Sequence, residues 1–233
     1  MKSIYIDCTA GISGDMLLRA LQELAGQYEH HKAHQHEHHE GHEHGHHHHH
    51  GRSYEEVKAI IDRGFYTEKA RAYAQSIYAV IAKAEASVHE KTLETVHFHE
   101  VGRDQAILNA LGIGQALDRI GIDEAAGDQI LVSAICNGTG FVDCAHGRIP
   151  VPVPAVRAIM DDCQRTGKGY DFQTCEDVET EMVTPSGLAS IVGIGAIPAP
   201  KGFTIMGSII GETEIKGTRD TGRGGLRAYL IEK

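Results

Sequence analysis

Residues 2–26 read KSIYIDCTAGISGDMLLRALQELAG. From Lys2 to Asp7, Ile4 and Ile6 alternate with polar neighbours, the period-two pattern of a short strand. Gly11 and Gly14 then allow a tight turn, and Ser13 is placed to cap a helix carrying Leu17, Leu18, Leu21 and Leu24. A strand that passes through a glycine turn into a helix opens an α/β architecture. Further along, helical and strand patterns stay interleaved, so the expected fold class is α/β, with a mixed α+β arrangement as its variant.

The next segment belongs to neither pattern. Between His30 and His50 the run HHKAHQHEHHEGHEHGHHHHH holds thirteen of the seventeen histidines of the chain. A packed core has no use for so many imidazoles, and the segment reads as a flexible, metal-collecting insert at about 29–51. Its candidate ligands are His30, His31, His34, His36, His38, His39, His42, His44, His46, His47, His48, His49 and His50. A purification tag sits at a terminus and is bare histidine, whereas this tract is internal and interleaved with Glu37, Glu40, Glu43, Gly41 and Gly45. Imidazole suits Zn, Cu and Ni alike, so the tract by itself does not name its ion.

Beyond the insert, Ser53 with Glu56 three residues later is a capping box for a helix bearing Val57, Ile60 and Ile61. Tyr73, Ile77, Val80, Ile81, Ala84 and Val88 repeat at helical spacing within 67–89. A second stripe runs Ala106, Ala110, Ile113, Leu117, Ile120, with Gly112 and Gly114 either weakening that helix or permitting close packing. Residues 130–135 read as one buried strand, and 141–144 as a short one. Pro154 opens a helix, as does Thr184-Pro185. Residues 203–215 and 226–231 read as closing strands. The expected whole is a single compact domain over 1–233, with no internal repeat.

A formal charge of −10 argues against nucleic acid or an anionic membrane as partner. No transmembrane-length apolar run or leader pattern is present, which points to a cytoplasmic protein. The five cysteines, Cys8, Cys136, Cys144, Cys163 and Cys175, form no C-x-x-C pair and fit reduced thiols better than a disulfide framework.

Four motifs carry chemistry. In DCTAGISGDM, residues 7–16, the turn at Gly11, Ser13 and Gly14 offers backbone N–H groups to an anion, and Asp7 and Asp15 are hard oxygen donors for Mg or Mn. The same spacing also fits a strand–turn–helix corner with acidic caps. In VHFHEVG, residues 96–102, an extended chain points His97 and His99 to one face as ligands, with Glu100 beside them. In CAHGRIP, residues 144–150, His146 is a candidate proton donor or ligand or else a loop hydrogen-bonder, and Arg148 suits a carboxylate or phosphate. In EMVTPSG, residues 181–187, the hydroxyls of Thr184 and Ser186 stand at a helix start, a second anion site or a simple cap.

Taken in order around a histidine tract, these motifs resemble the LarC family of nickel-insertion proteins. The likeness rests on DCTAGISGDM, GRS at 51–53, VHFHEVG, HGRIPVPVPA from His146, EMVTPSG, GTRD from Gly217 and LRAYL from Leu226. It implies nickel insertion into pyridinium-3,5-bisthiocarboxylic acid mononucleotide, a lyase-class chelatase step supplying lactate racemase-type enzymes. It also implies CTP with Mn or Mg, and an assembly that is homo-oligomeric. Under the resemblance His97, His99, Glu100 and His146 become the reacting set, and Gly11, Ser13, Gly14, Thr184, Ser186 and Arg148 the cofactor-binding set. Two departures stand out. Gln105 and Asn109 occupy positions where the family usually carries two aspartates, and the likeness covers only an N-terminal part, which implies either a separately encoded C-terminal subunit or a truncated product. The competing readings are a nickel storage or delivery metallochaperone and a divalent-metal-dependent nucleotide hydrolase.

Overall fold

The computed structural model describes residues 1–33, 51–144 and 147–233. The first strand forms as β1 (Lys2–Asp7), and Ser13 accepts the Met16 N–H at 3.1 Å to open α1 (Gly14–Ala33). His30 and His31 lie in the last turn of α1, so the insert expected from about residue 29 starts later. The helix is carried that far by packing. Arg119 donates twice to the Glu29 carboxylate, and Tyr28 is buried with Lys2 and Lys32 over its ring. The other eleven tract histidines, His34, His36, His38, His39, His42, His44, His46, His47, His48, His49 and His50, lie outside the described residues, as does His146.

After the tract, β2 (Arg52–Ser53) leads into α2 (Tyr54–Arg63) through the expected capping box: Ser53 Oγ accepts the Glu56 N–H, and the Glu56 carboxylate accepts the Ser53 N–H at 2.7 Å. Thr67 caps α3 (Glu68–Val88), which is followed by β3 (His97–Phe98), α4 (Asp104–Ile120), a 3-10 turn (Glu124–Ala126) and β4 (Gln129–Val132). The strand expected over 130–135 is split. Ser133 Oγ takes the Cys8 N–H at 2.8 Å and donates to the Ala134 carbonyl, and the chain leaves for β5 (Ile135–Asn137) in another sheet. The remainder is β6 (Phe141–Cys144), β7 (Gly147–Pro150), α5 (Pro154–Arg165), β8 (Phe172–Thr174), α6 (Pro185–Gly193), β9 (Ile197–Pro198), β10 (Ser208–Ile215) and β11 (Leu226–Glu232). The strand expected from 203 thus begins only at Ser208.

The main sheet has the order β10-β11-β1-β4-β9. β4 runs parallel to β1, and β11 antiparallel to it, with Ile4 opposite both Ile130 and Leu230. Ile4, Ile6, Ala228 and Leu230 are wholly buried beside the helices, and α1 packs on β10 and β11. α3 is the hub of the helical layer, touching α4, α5 and α6. Its contact with α4 is close because of a glycine: a methyl group on Gly114 would lie 2.3 Å from the Ala70 carbonyl oxygen. The glycines of α4 therefore serve packing. The outcome is a mixed α/β fold with one main core. Among the described residues no helix is long and apolar enough to cross a membrane.

Leu18 of α1 meets Gly112 of α4, and Glu29 pairs with Arg119 farther along both helices. The two helices therefore run in the same direction. Their starts, at Gly14 and Asp104, lie at one end of the helical layer.

Candidate functional site

At the end of β1 the glycine turn meets the EMVTPSG segment. Ile12 and Val183 form a parallel bridge; the Ile12 N–H donates to the Met182 carbonyl at 2.8 Å, and the Thr184 N–H to the Ile12 carbonyl at 3.0 Å. This contact needs small residues on both sides. Gly11 has φ +88°, and a methyl on it would stand 2.3 Å from the Met182 oxygen; one on Gly187 would stand 2.6 Å from the Ile12 oxygen. The starts of α1 and α6 are thereby brought side by side, with Ser186 Oγ 3.0 Å from where a Gly14 methyl would be.

A cleft of about 200 Å³ opens there, lined by Ser13 and Met16 from the first motif, by Glu181, Met182 and Thr184 from the fourth, and by Thr218 and Arg219 from the GTRD segment. Arg219 donates to the Glu181 carboxylate at 2.6 Å, which fixes a guanidinium at the cleft wall. Thr184 Oγ1 accepts the Gly187 N–H at 3.1 Å and lies 3.2 Å from Ser186 Oγ. The starts of α1 and α6 and the Arg219 guanidinium meet at this cleft beside the Glu181 carboxylate, with the Met16 and Gly187 N–H groups taken by the Ser13 and Thr184 caps. Residue-by-residue reading missed Arg219; its only signal was the order of the GTRD motif after EMVTPSG.

The carboxylates of the first motif have side-chain partners within the fold. Asp7 accepts from Arg227 at 2.7 Å through one oxygen, and from the Thr9 hydroxyl and N–H at 2.6 and 3.0 Å through the other. Asp7, expected as a Mg or Mn ligand, is paired here with Arg227. Asp15 is largely exposed and stands 3.7 Å from Arg19 in the first turns of α1. Among the described residues, no three His, Cys, Asp or Glu side chains gather closely enough to hold a metal ion.

The HFHE segment behaves as its alternation suggests. Val96 and Phe98 are wholly buried, while His97, His99 and Glu100 are exposed. β3 pairs with β2, placing Ser53 opposite His97 and Arg52 opposite Phe98, so the residue following the tract, Gly51, lies beside the His99 ring. Nδ1 of His97 donates to the Thr95 carbonyl at 3.1 Å, which leaves Nε2 as the lone-pair nitrogen. Gln105 Nε2 donates to Asn109 Oδ1 at 2.8 Å; the two amides satisfy each other one helical turn apart. Arg148 lies on the β6–β7 hairpin with its guanidinium 4.8 Å from the Phe141 ring centroid, and is not part of the cleft.

Behind Met182 sit two buried thiols, Cys136 and Cys175. Burial pushes the Cys136 thiol up to about 11, and a hydrogen bond with Cys175 adds to the rise. Cys8 is pushed up well beyond its usual value by complete burial. Cys8 and Cys136 are held as neutral thiols at neutral pH.

Fold and cleft together define an α/β protein with a cleft between two helix starts and a histidine-bearing two-stranded ladder. The profile of the family described as nickel insertion protein matches residues 27–202, and the chain belongs to that family. It is 34% identical to a protein of Acetivibrio thermocellus, over 82% of this chain and 51% of the relative. With a protein of Lactiplantibacillus plantarum it shares 33% identity, over 100% of this chain and 62% of the relative. A third relative, from Alkaliphilus metalliredigens, is 32% identical over 99% of the chain. All three are named pyridinium-3,5-bisthiocarboxylic acid mononucleotide nickel insertion protein. The chain spans about half to three fifths of the length of these relatives. No solved structure matches it.

Proposed function

We propose that this chain carries the nickel-loading and nucleotide-seating part of a nickel chelatase acting on pyridinium-3,5-bisthiocarboxylic acid mononucleotide. The observation that carries the reading is the meeting of three sequence-distant segments, DCTAGISGDM, EMVTPSG and GTRD, in one cleft. The phosphate of the nucleotide is seated by the N–H groups at the starts of α1 and α6 and by Arg219. At about 200 Å³ the cleft is smaller than pockets that enclose a drug-sized ligand, roughly 300 Å³ and above. The phosphate end enters and the pyridinium ring stays near the rim, against the thioethers of Met16 and Met182, which suit an aromatic cation's polarisable face.

Nickel is the second substrate. The tract raises its local concentration, and His97 and His99, on the ladder that anchors the tract's end, pass it on. Imidazole is a good but exchangeable ligand for Ni(II), and the softer sulfur of two thiocarboxylates takes the ion from it. Glu100 stands beside the pair as a carboxylate, and His146 is a candidate proton carrier for the incoming thioacid. CTP with Mn or Mg, the C-terminal region present in longer relatives, self-association and supply to lactate racemase-type enzymes belong to the same proposal.

The test is nickel insertion into the purified mononucleotide with CTP and Mn, using this chain alone and then with the C-terminal region of a relative added. Turnover in either arm supports the reading. Nickel uptake with no insertion in both arms supports storage or delivery instead, the reading favoured by a tract of thirteen histidines.

A further inference from the structure

We propose that Arg223 and Asp177 are positioning residues for the cleft: their ion pair latches the loop 216–224 shut across its mouth and so holds Arg219 at the wall; this rests on the nucleotide reading above. The loop joins β10 to β11. Its feet are firm: Ile215 faces Leu226 in the ladder, both are buried, and the Gly225 N–H donates to the Glu214 carboxylate at 2.9 Å. Between the feet, none of residues 216–224 is buried. The loop nonetheless comes down on the cleft. A methyl on Gly217 would stand 3.1 Å from the Met16 sulfur, and Thr218, Arg219 and Thr221 line the wall.

With no apolar anchor of its own, the loop is held to the far side of the cleft by charge. Arg219 donates through Nη1 to the Glu181 carboxylate at 2.6 Å, and Arg223 donates to the Asp177 carboxylate. The side that receives them is fixed. Val178 and Met182 are buried, the Val178 carbonyl accepts the Thr139 N–H at 2.8 Å, and a methyl on Gly138 would stand 2.0 Å from the Thr180 oxygen. A loop without a core, pinned by two charge pairs to a rigid rim, is a strap. Arg223 and Asp177 do not line the cleft, so they act on a ligand only through the strap and Arg219.

The pair is also suited to opening. Arg223 is 35% exposed and Asp177 69%, and a pair so exposed shifts an equilibrium by up to about fivefold. Gly222 and Gly224, at φ +68° and +81°, flank Arg223 and give the strap its hinge. Opening admits the nucleotide, and relatching returns Arg219 to the phosphate. Both Glu181 bonds of Arg219 use Nη1, so the rest of its fork can meet that phosphate without leaving the rim.

Closure is read with trypsin on the full chain, following the cut after Lys216 by mass spectrometry. Its rate tracks the open population when the strap moves faster than the protease cuts. Asp177→Asn and Arg223→Gln should each speed that cut by about three- to fivefold. Each should also weaken nicotinamide mononucleotide, titrated calorimetrically, by a similar factor at an unchanged thermal midpoint. Asp177→Glu should stay near the parent, and the exchanged pair Asp177→Arg with Arg223→Asp should recover most of the loss. Salt at about 0.5 M should bring the parent's cut, measured against a free peptide, toward the variants' rate. An unchanged cut in both variants overturns the latch, and a faster cut at unchanged affinity overturns the positioning role. If the parent binds no nicotinamide mononucleotide, the nucleotide reading falls, and the cut after Lys216 still decides the latch.

Discussion

Ser53 lies directly opposite His97 in the β2–β3 ladder, one residue pair in from the end of the histidine tract. Ser53 is also the cap of α2. The same few residues therefore start a helix, close the insert and present the histidines of the HFHE segment. Their chemistry follows from this coupling.

Arg52 should be the clamp of that ladder. It donates to the Gly102 carbonyl at 2.9 Å and pairs with Asp104 at 2.6 Å, largely shielded from solvent. Arg52→Ala should destabilise the chain by about 1–3 kcal/mol in urea unfolding, the range for losing charge-assisted bonds with partners left behind. In the insertion assay it should slow turnover at limiting nickel and spare it at saturating nickel. Equal loss at both concentrations would count against the ladder's role in delivery.

Gly11→Ala should damage the cleft from within. The left-handed backbone and the 2.3 Å approach to the Met182 oxygen leave no room for a methyl. Strain and local overpacking together come to about 2–4 kcal/mol, seen as a lower urea midpoint at unchanged slope. A variant as stable as the parent would mean the turn is not held as described.

Arg219→Ala should weaken a phosphate-bearing pyridinium probe, nicotinamide mononucleotide, by about tenfold, the worth of one charge-assisted contact. The Arg219–Glu181 pair is half exposed on the arginine side but only 11% exposed on the glutamate side, so stability should fall by about 1 kcal/mol. Calorimetric titration reads the first quantity and thermal unfolding the second. Unchanged affinity would remove Arg219 from the seat.

The paired change His97→Ala with His99→Ala should abolish insertion while most nickel stays bound by the tract. Colorimetric nickel counting and the insertion assay are run on the same sample. Insertion that survives would clear these two residues of any part in transfer.

Alkaline pH should destabilise the fold through its thiols. The folded Cys136 thiol titrates at about 11 because it is buried, against about 8.5 when unfolded. Between those values the unfolded chain binds fewer protons than the folded one, so stability is intact below about 8.5 and falls as pH rises toward 11. Cys136→Ala should flatten that slope in unfolding measured across pH 8–11. Disulfide reagents at pH 8 should likewise leave Cys136 unmodified until the chain unfolds.

Local signals were legible wherever a residue acts within a few positions of itself. The β1 alternation, the Ser13, Ser53 and Thr184 caps, and the helical stripes of α3 and α4 all formed as read, because hydrogen bonds to the next turn and one-sided burial are short-range in sequence. The order of motifs was enough to place the chain in its family. Pairings between distant segments were decided only by tertiary structure. Nothing near Asp7 announced that Arg227, two hundred and twenty positions away, would pair with it. Nothing near Ser133 announced the break between β4 and β5, which depends on the Cys8 backbone. Likewise, His89 meets His99, and Arg219 meets Glu181 at the cleft, only because helices packed around α3 and strands paired with β1 bring them there. Such contacts are set by the burial of whole faces, and that is a property of the assembled core.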